Sequence, residues 1–240
     1  MRLAIIQASI LILLPVILAI PATAQTAIII EGAQGSARFN VSAPSFVPAF
    51  IGFDVNINGA VSALWFYTLP GFNRTMAEEK AANMTTPYAM RLYATLIVVD
   101  SVRNVVVAKI PLNISISTDT CTKRVDHCPY GVIGLAAPYC LILECSNIPV
   151  KTKVTIPGLL PGSYEAYLEK EGKVVFLVNK TFVLPNGTKK TEVHPVHGDL
   201  FIRSDTATVD VSLWPWIAVF VGSGGAIVAF VMIKRREYTL

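Results

Sequence analysis

From Leu213 to Ile233 the chain carries no charged side chain, and Lys234, Arg235 and Arg236 close the run. At about 1.5 Å of helical rise per residue, 21 such residues reach ~31 Å, roughly one hydrocarbon thickness. A segment in lipid must satisfy its own backbone hydrogen bonds, which leaves the helix as its only single-pass form. Trp214 and Trp216 lie at one edge, where indole rings favour the headgroup layer, and the basic cluster at the other edge marks the cytoplasmic side. A second apolar run, Leu3 to Ile20, follows Met1-Arg2 and ends at Pro21-Ala22-Thr23-Ala24. That run is long enough to remain as an anchor, but Pro21 and the Ala-x-Ala site are features of a cleaved secretory signal peptide. The two ends predict one topology: a signal peptide over 1–24, an exterior region over 25–212, a transmembrane helix over 213–233 and a cytoplasmic tail over 234–240. The expected location is the cell membrane, with the bulk of the chain extracellular.

Composition agrees with lipid contact. Charged residues make up 15% of the chain and hydrophobic ones 53%, where soluble domains carry about a quarter charged. The net charge is +4, but with Arg2 and the cluster at 234–237 set aside the remainder is close to neutral. A phosphate-tracking surface concentrates Lys and Arg on one face, so nucleic acid is not an expected partner. Within the span, Ala218, Gly222 and Ala226 recur every fourth residue. Small residues at that spacing let two helices approach closely, which admits a protein partner or a second copy of the chain through the span.

Asn-x-Ser/Thr acceptors occur at Asn40, Asn73, Asn83, Asn113, Asn179 and Asn186. With 10 Asn, 13 Ser and 18 Thr in 240 residues, random placement gives about 1.3 acceptors. All six lie between the two apolar runs, which predicts an N-glycosylated exterior region.

That region reads as all-β. Runs rich in Val, Ile, Thr and aromatic residues, such as Ile51–Ile57, Ala60–Thr68, Met90–Val99, Lys151–Ile156 and Lys173–Leu184, are separated by turn residues. Asn58-Gly59 and Asn186-Gly187 suit two-residue hairpin turns, Glu171-Gly172 suits another, and Asp100–Asn104 a fourth. Val150, Val154 and Ile156 share one predicted face, as do Tyr164, Ala166 and Leu168. Thr75 and Glu78 have capping-box spacing, so a short helix is expected over 75–82.

Ile156-Pro157-Gly158-Leu159-Leu160-Pro161-Gly162-Ser163-Tyr164 resembles the G-L-x-P-G-x-Y corner of immunoglobulin-like and prealbumin-like β-sandwich modules of surface proteins. The resemblance covers residues 156–184 at most, and it implies a fold and no activity. The expected architecture is one or two immunoglobulin-like sandwich units plus the C-terminal transmembrane helix. In the two-unit form, the first sandwich spans 25–118, a cysteine-bearing insert 119–146 and the second unit 147–212.

Cys121, Cys128, Cys140 and Cys145 are the only cysteines. An even, clustered set outside the membrane predicts two disulfides. Three pairings are open, with Cys121–Cys128 and Cys140–Cys145 favoured because nearest neighbours need little long-range geometry. Gaps of six, eleven and four residues do not match the paired spacing of zinc ribbons. His194 and His197 flank Pro195, which argues against a helix presenting both to one ion. No metal and no cofactor are expected. No Gly-x-Ser-x-Gly elbow or other nucleophile motif is present, and the acids are scattered. The function expected is therefore non-enzymatic, a binding or structural exterior domain on a single span. An accessory subunit of a membrane complex is the alternative, and the extracellular ligand is not legible.

Overall fold

The computed structural model describes residues 30–69, 73–128 and 139–223. The expected signal peptide and cytoplasmic tail lie outside them. Eleven strands follow in order: β1 (Glu31–Ser42), β2 (Phe46–Pro48), β3 (Phe53–Thr68), β4 (Ala89–Asp100), β5 (Val105–Ser117), β6 (Thr122–His127), β7 (Tyr139–Ile156), β8 (Gly162–Leu168), β9 (Glu171–Val183), β10 (Lys189–Ser204) and β11 (Ala207–Ser212). One helix, α1 (Arg74–Ala82), interrupts them after β3, and residues 214–223 are helical after β11 (α2).

The strands form one hydrogen-bonded sheet in the order β2-β11-β8-β4-β9-β10-β1-β3-β7-β6. Strand β4 pairs along its full length with β5, and its other edge is shared: residues 96–100 pair with β8 and residues 89–93 with β9. Two arms therefore diverge from β4, and a single buried cluster includes residues of both. From one arm come Tyr164, Ala166, Leu168, Val209 and Val211, and from the other Phe39, Val55, Ile57, Trp65 and Leu200. This is an all-β fold compatible with a β-sandwich. The boundary expected at 119–146 does not separate two units. Strand β1 from the first half pairs with β10 from the second, and β3 pairs with β7. Both halves had strand-like runs of domain length, but the pairing partners lie across the expected division.

Alternation sets the faces. Ala37, Phe39 and Val41 are buried on β1, Val150, Val154 and Ile156 on β7, and Ala207, Val209 and Val211 on β11, with exposed or partly exposed residues between. Each large side chain so buried is worth roughly 1.5–3 kcal/mol.

The turns hold mixed outcomes. Asp100 Oδ1 accepts the backbone N–H groups of Val102 and Arg103 at 3.0 Å each, closing the expected β4–β5 turn. At Asn186-Gly187 the hairpin turn is present but has three residues, with Gly187 at φ 80° and Leu184 N–H donating to Thr188 O. That is the loop with one left-handed position rather than two. Asn58-Gly59 is no turn: it runs inside β3, with Gly59 opposite Phe39. A Cβ there would lie 2.1 Å from Arg38 O and 2.6 Å from the Phe39 ring, so the glycine serves a close approach of β1. Glu171-Gly172 likewise opens β9, which pairs with β10 and not with β8. The helix begins at Arg74, one residue before the expected 75, and its cap is Asn73 and not Thr75, since Asn73 Oδ1 accepts Met76 N–H at 2.8 Å.

At the corner before β8, the buried Tyr164 hydroxyl donates to Leu160 O at 2.8 Å, the geometry of a tyrosine corner. Burial, and after it the Asp100 carboxylate, hold the Tyr164 proton above the usual tyrosine range. The folded state binds this proton more tightly than the unfolded chain. Its contribution is complete below about pH 10 and is lost as pH rises through the higher folded value. Tyr164→Phe should cost about 1 kcal/mol at neutral pH, and its stability should fall less steeply than the wild type's in denaturant titrations above about pH 10. Equal slopes would contradict this account.

Candidate functional site

All six glycan acceptors are exposed. Asn40 lies on β1, Asn113 on β5, Asn179 on β9 and Asn186 in the β9–β10 turn, while Asn73 and Asn83 cap the two ends of α1. At Asn73 and Asn186 the side-chain oxygen is engaged with backbone N–H groups of Met76 and Thr188. Their Nδ2 atoms, which carry the sugar in N-glycosylation, are not used in these bonds.

The cysteines form two disulfides, paired Cys121–Cys145 and Cys128–Cys140. This nested pairing replaces the nearest-neighbour one. Strands β6 and β7 pair antiparallel, with Thr122 opposite Glu144 and His127 opposite Tyr139. Cys121 and Cys128 therefore flank opposite ends of β6, roughly 23 Å apart at strand rise, and Cys140 and Cys145 are separated along β7 by about 16 Å. A disulfide tolerates Cα separations below about 7 Å, and the cross-strand pairs lie at 4.3 and 4.9 Å. Cys140 and Cys128 pack with Phe66, Ile142 and Leu64 in a small apolar cluster of their own.

With every thiol oxidised, no thiolate remains for metal, and among the described residues no group of three His, Cys, Asp or Glu side chains is close enough to hold an ion. His194 and His197 sit three apart on β10, opposite Val178 and Val175, and an extended strand sends such positions to opposite faces. His194 Nε2 instead lies 3.5 Å from Glu31 Oε2. Glu31 joins several strands: its Oε1 accepts Trp65 Nε1–H at 3.1 Å and its Oε2 accepts Lys180 Nζ–H at 2.6 Å. No nucleophile accompanies this cluster in those contacts, and it reads as a structural tie between β1, β3, β9 and β10. Ala218 and Gly222 are exposed on α2, and Ala226 lies outside the described residues.

The face formed by β1, β3 and β10 holds a feature the sequence did not disclose. Arg38 and Arg203 are direct neighbours in the parallel β1–β10 register, and both are exposed. The Arg203 guanidinium sits 5.7 Å from the centroid of the Phe201 ring. Neither arginine makes an ion pair among the described residues, whose ion pairs lie elsewhere. Together with Asn40, Asn58, Gly59 and Asp205 they line a shallow recess of about 660 Å³. Two guanidinium forks over small neighbours suit a carboxylate, phosphate or sulfate group. The spacing of the two arginines, 165 residues, hides this pairing from any local motif.

No protein-family model matches the chain, and no curated protein matches it.

Three measurements follow. Peptide mapping without reduction should join Cys121 to Cys145 and Cys128 to Cys140. Replacing Cys121 and Cys145 together by Ala should remove about 3 kcal/mol, the loop-closure value for a separation of 24 residues. Like charges directly opposite are unfavourable on a sheet, so Arg38→Glu should raise stability by roughly 0.5 kcal/mol, read as a higher melting temperature. A fall would show that Arg38 has a structural partner.

Proposed function

We propose that this chain is a type I single-pass, N-glycosylated cell-surface protein whose exterior immunoglobulin-like β-sandwich is a non-enzymatic binding module. The observation that carries the reading is the acceptor set: six sequons where chance gives about 1.3, each with an exposed asparagine. The uncharged run of residues 213–233 with Lys234-Arg235-Arg236 supports the span. Among the described residues no helix is long and apolar enough to cross a membrane; α2 is described to residue 223, and the rest of the run lies outside. The G-L-x-P-G-x-Y residues and the Tyr164–Leu160 bond support the sandwich assignment. In this reading the exposed Arg38 and Arg203 are the contact for an acidic group on a partner at the cell exterior, and Asn40, which lines their recess and donates through Nδ2 to Asp205 Oδ2 at 3.4 Å, is the acceptor left without a sugar. Oxidised cysteines and arginines aimed at solvent supply recognition without a nucleophile–base pair.

The test is made on intact cells. A glycosidase added outside should lower the protein's mass in several steps, and external protease should digest residues 30–212 while a C-terminal epitope survives. Unmodified asparagines together with full protease protection would overturn the reading.

A further inference from the structure

The end of the β fold from which α2 departs is assembled from loops and not from strand faces. Three loops meet there. Ala49 N–H donates to Ser212 O at 2.8 Å, Phe50 N–H to Leu159 O at 3.4 Å, and Ser101 N–H to Ser163 O at 2.9 Å. These bonds draw residues 49–51, 101–104 and 157–161 around the exit of β11. Exposed at this end are Phe46, Phe50, Ile51, Val102, Leu160 and Trp214, Phe50 and Leu160 to 64% and Trp214 to 72%, with Ser101, Arg103 and Asn104 the polar residues of the 101–104 loop beside them.

This exposure is enforced by the backbone. Phe50 sits at φ 67°, a left-handed conformation that a bulky side chain seldom takes. Gly158 makes room for it: a Cβ at residue 158 would lie 2.4 Å from the Phe50 carbonyl carbon. A large apolar residue held in an unfavourable conformation to face water points to a surface that water does not cover.

The same end is fastened to the helix. Trp216 Nε1–H donates to Ala49 O at 2.6 Å, and Trp214 N–H to Ser212 Oγ at 3.1 Å. So α2 leaves the sheet without a flexible stalk, and the sequence that continues it remains uncharged to Ile233. The acceptor asparagines stand away from this end. Asn40 pairs with Asn58, five residues into β3 from Phe53, roughly 16 Å from the loops at strand rise. Asn186 occupies the tip of the β9–β10 hairpin, and Asn73 and Asn83 flank α1.

We propose that the exterior domain is seated directly on the lipid bilayer, with Phe50, Leu160 and their apolar neighbours in the interfacial layer around the exit of α2. The proposal rests on the membrane-anchored reading above. Its occupant is the outer leaflet itself: the apolar ring is continuous with the helix start, tied to it through Trp216, and clear of acceptor sites whose sugars would hold it off. Aromatic and aliphatic side chains at that depth exchange water for acyl boundary, as amphipathic interfacial segments do. The seat also fixes which way the Arg38–Arg203 face points relative to the membrane.

The test uses the full-length protein in phosphatidylcholine nanodiscs. Phe50→Cys, Leu160→Cys and, as a control, Val183→Cys, an equally apolar and exposed site on β9, each receive an environment-sensitive fluorophore. Lipids carrying a quencher just below the headgroup should quench the labels at 50 and 160 at least two-fold and leave the label at 183 unchanged. If the protein enters nanodiscs but all three labels stay equally water-exposed, the seat is refuted and the anchor stands. Labels at 50 and 160 that are shielded from water yet not quenched by lipid would assign this end to a second copy instead, again refuting the seat. Failure of the full chain to enter nanodiscs would overturn both the anchor and the seat.

Discussion

The parallel pairing of β1 with β10 is the contact on which the rest of the architecture depends. It sets Ala33 beside Gly198 and Phe39 beside Ser204, and so joins the first described strand to one formed some 165 residues later. Without it, β9–β10 and β3–β7 would be two separate strand groups, each with one face unburied. Through it Glu31 reaches Lys180 and His194, and Arg38 comes to lie against Arg203. Such a closure carries a high loop-entropy cost, and folds dominated by long-range pairings of this kind form slowly. The two nested disulfides lie away from this seam, on β6–β7. They secure a peripheral hairpin and leave the central closure to packing and hydrogen bonds.

Several elements were legible because their physics is local. Alternation placed Tyr164, Ala166 and Leu168 inward, as found, and the Asp100 turn was readable from residues that bond their own backbone two and three positions on. The elements that escaped are those whose residue types answer to a distant neighbour. Strand β10 carries Pro195, two histidines and a run of exposed positions, so it lacks an apolar period of its own. It is a strand because β1 and β9 flank it. Gly59 and Gly198 resemble turn residues in sequence, yet both serve backbone approach to β1. The disulfide pairing failed for the same reason, since spacing carries no record of which strands lie side by side. Of the candidate site, the acceptor asparagines were readable from triplets, whereas the Arg38–Arg203 recess exists only through the β1–β10 register.

Polarity along the molecule gives the functional reading its shape. One end gathers exposed apolar side chains around α2, while the acceptor asparagines occupy the hairpin tip, the helix α1 and the strand surfaces. Apolar exposure is not confined to that end, since Phe182, Val183 and Val193 are exposed on the β9–β10 hairpin; what sets the α2 end apart is its attachment to the helix through Trp216. Under the proposed seat, sugars at the lipid side would carry a desolvation cost, which accounts for the placing of acceptors on the hairpin tip and α1.

Edge strands extend that argument to self-association. Among the described residues β5 pairs only with β4, and it exposes Val105, Val106 and Val107, an arrangement that invites pairing with another chain. Its remaining length is poorly suited to such pairing. Pro111 lacks the N–H that a ladder needs, Lys109 places a charge on the edge, and Asn113 is an acceptor site on its exposed face. Under the proposed glycosylation, a sugar at Asn113 would stand where a neighbouring molecule's strand would have to approach. Under the proposed surface reading, that sugar would keep the edge of β5 from templating an intermolecular sheet between copies confined to one membrane.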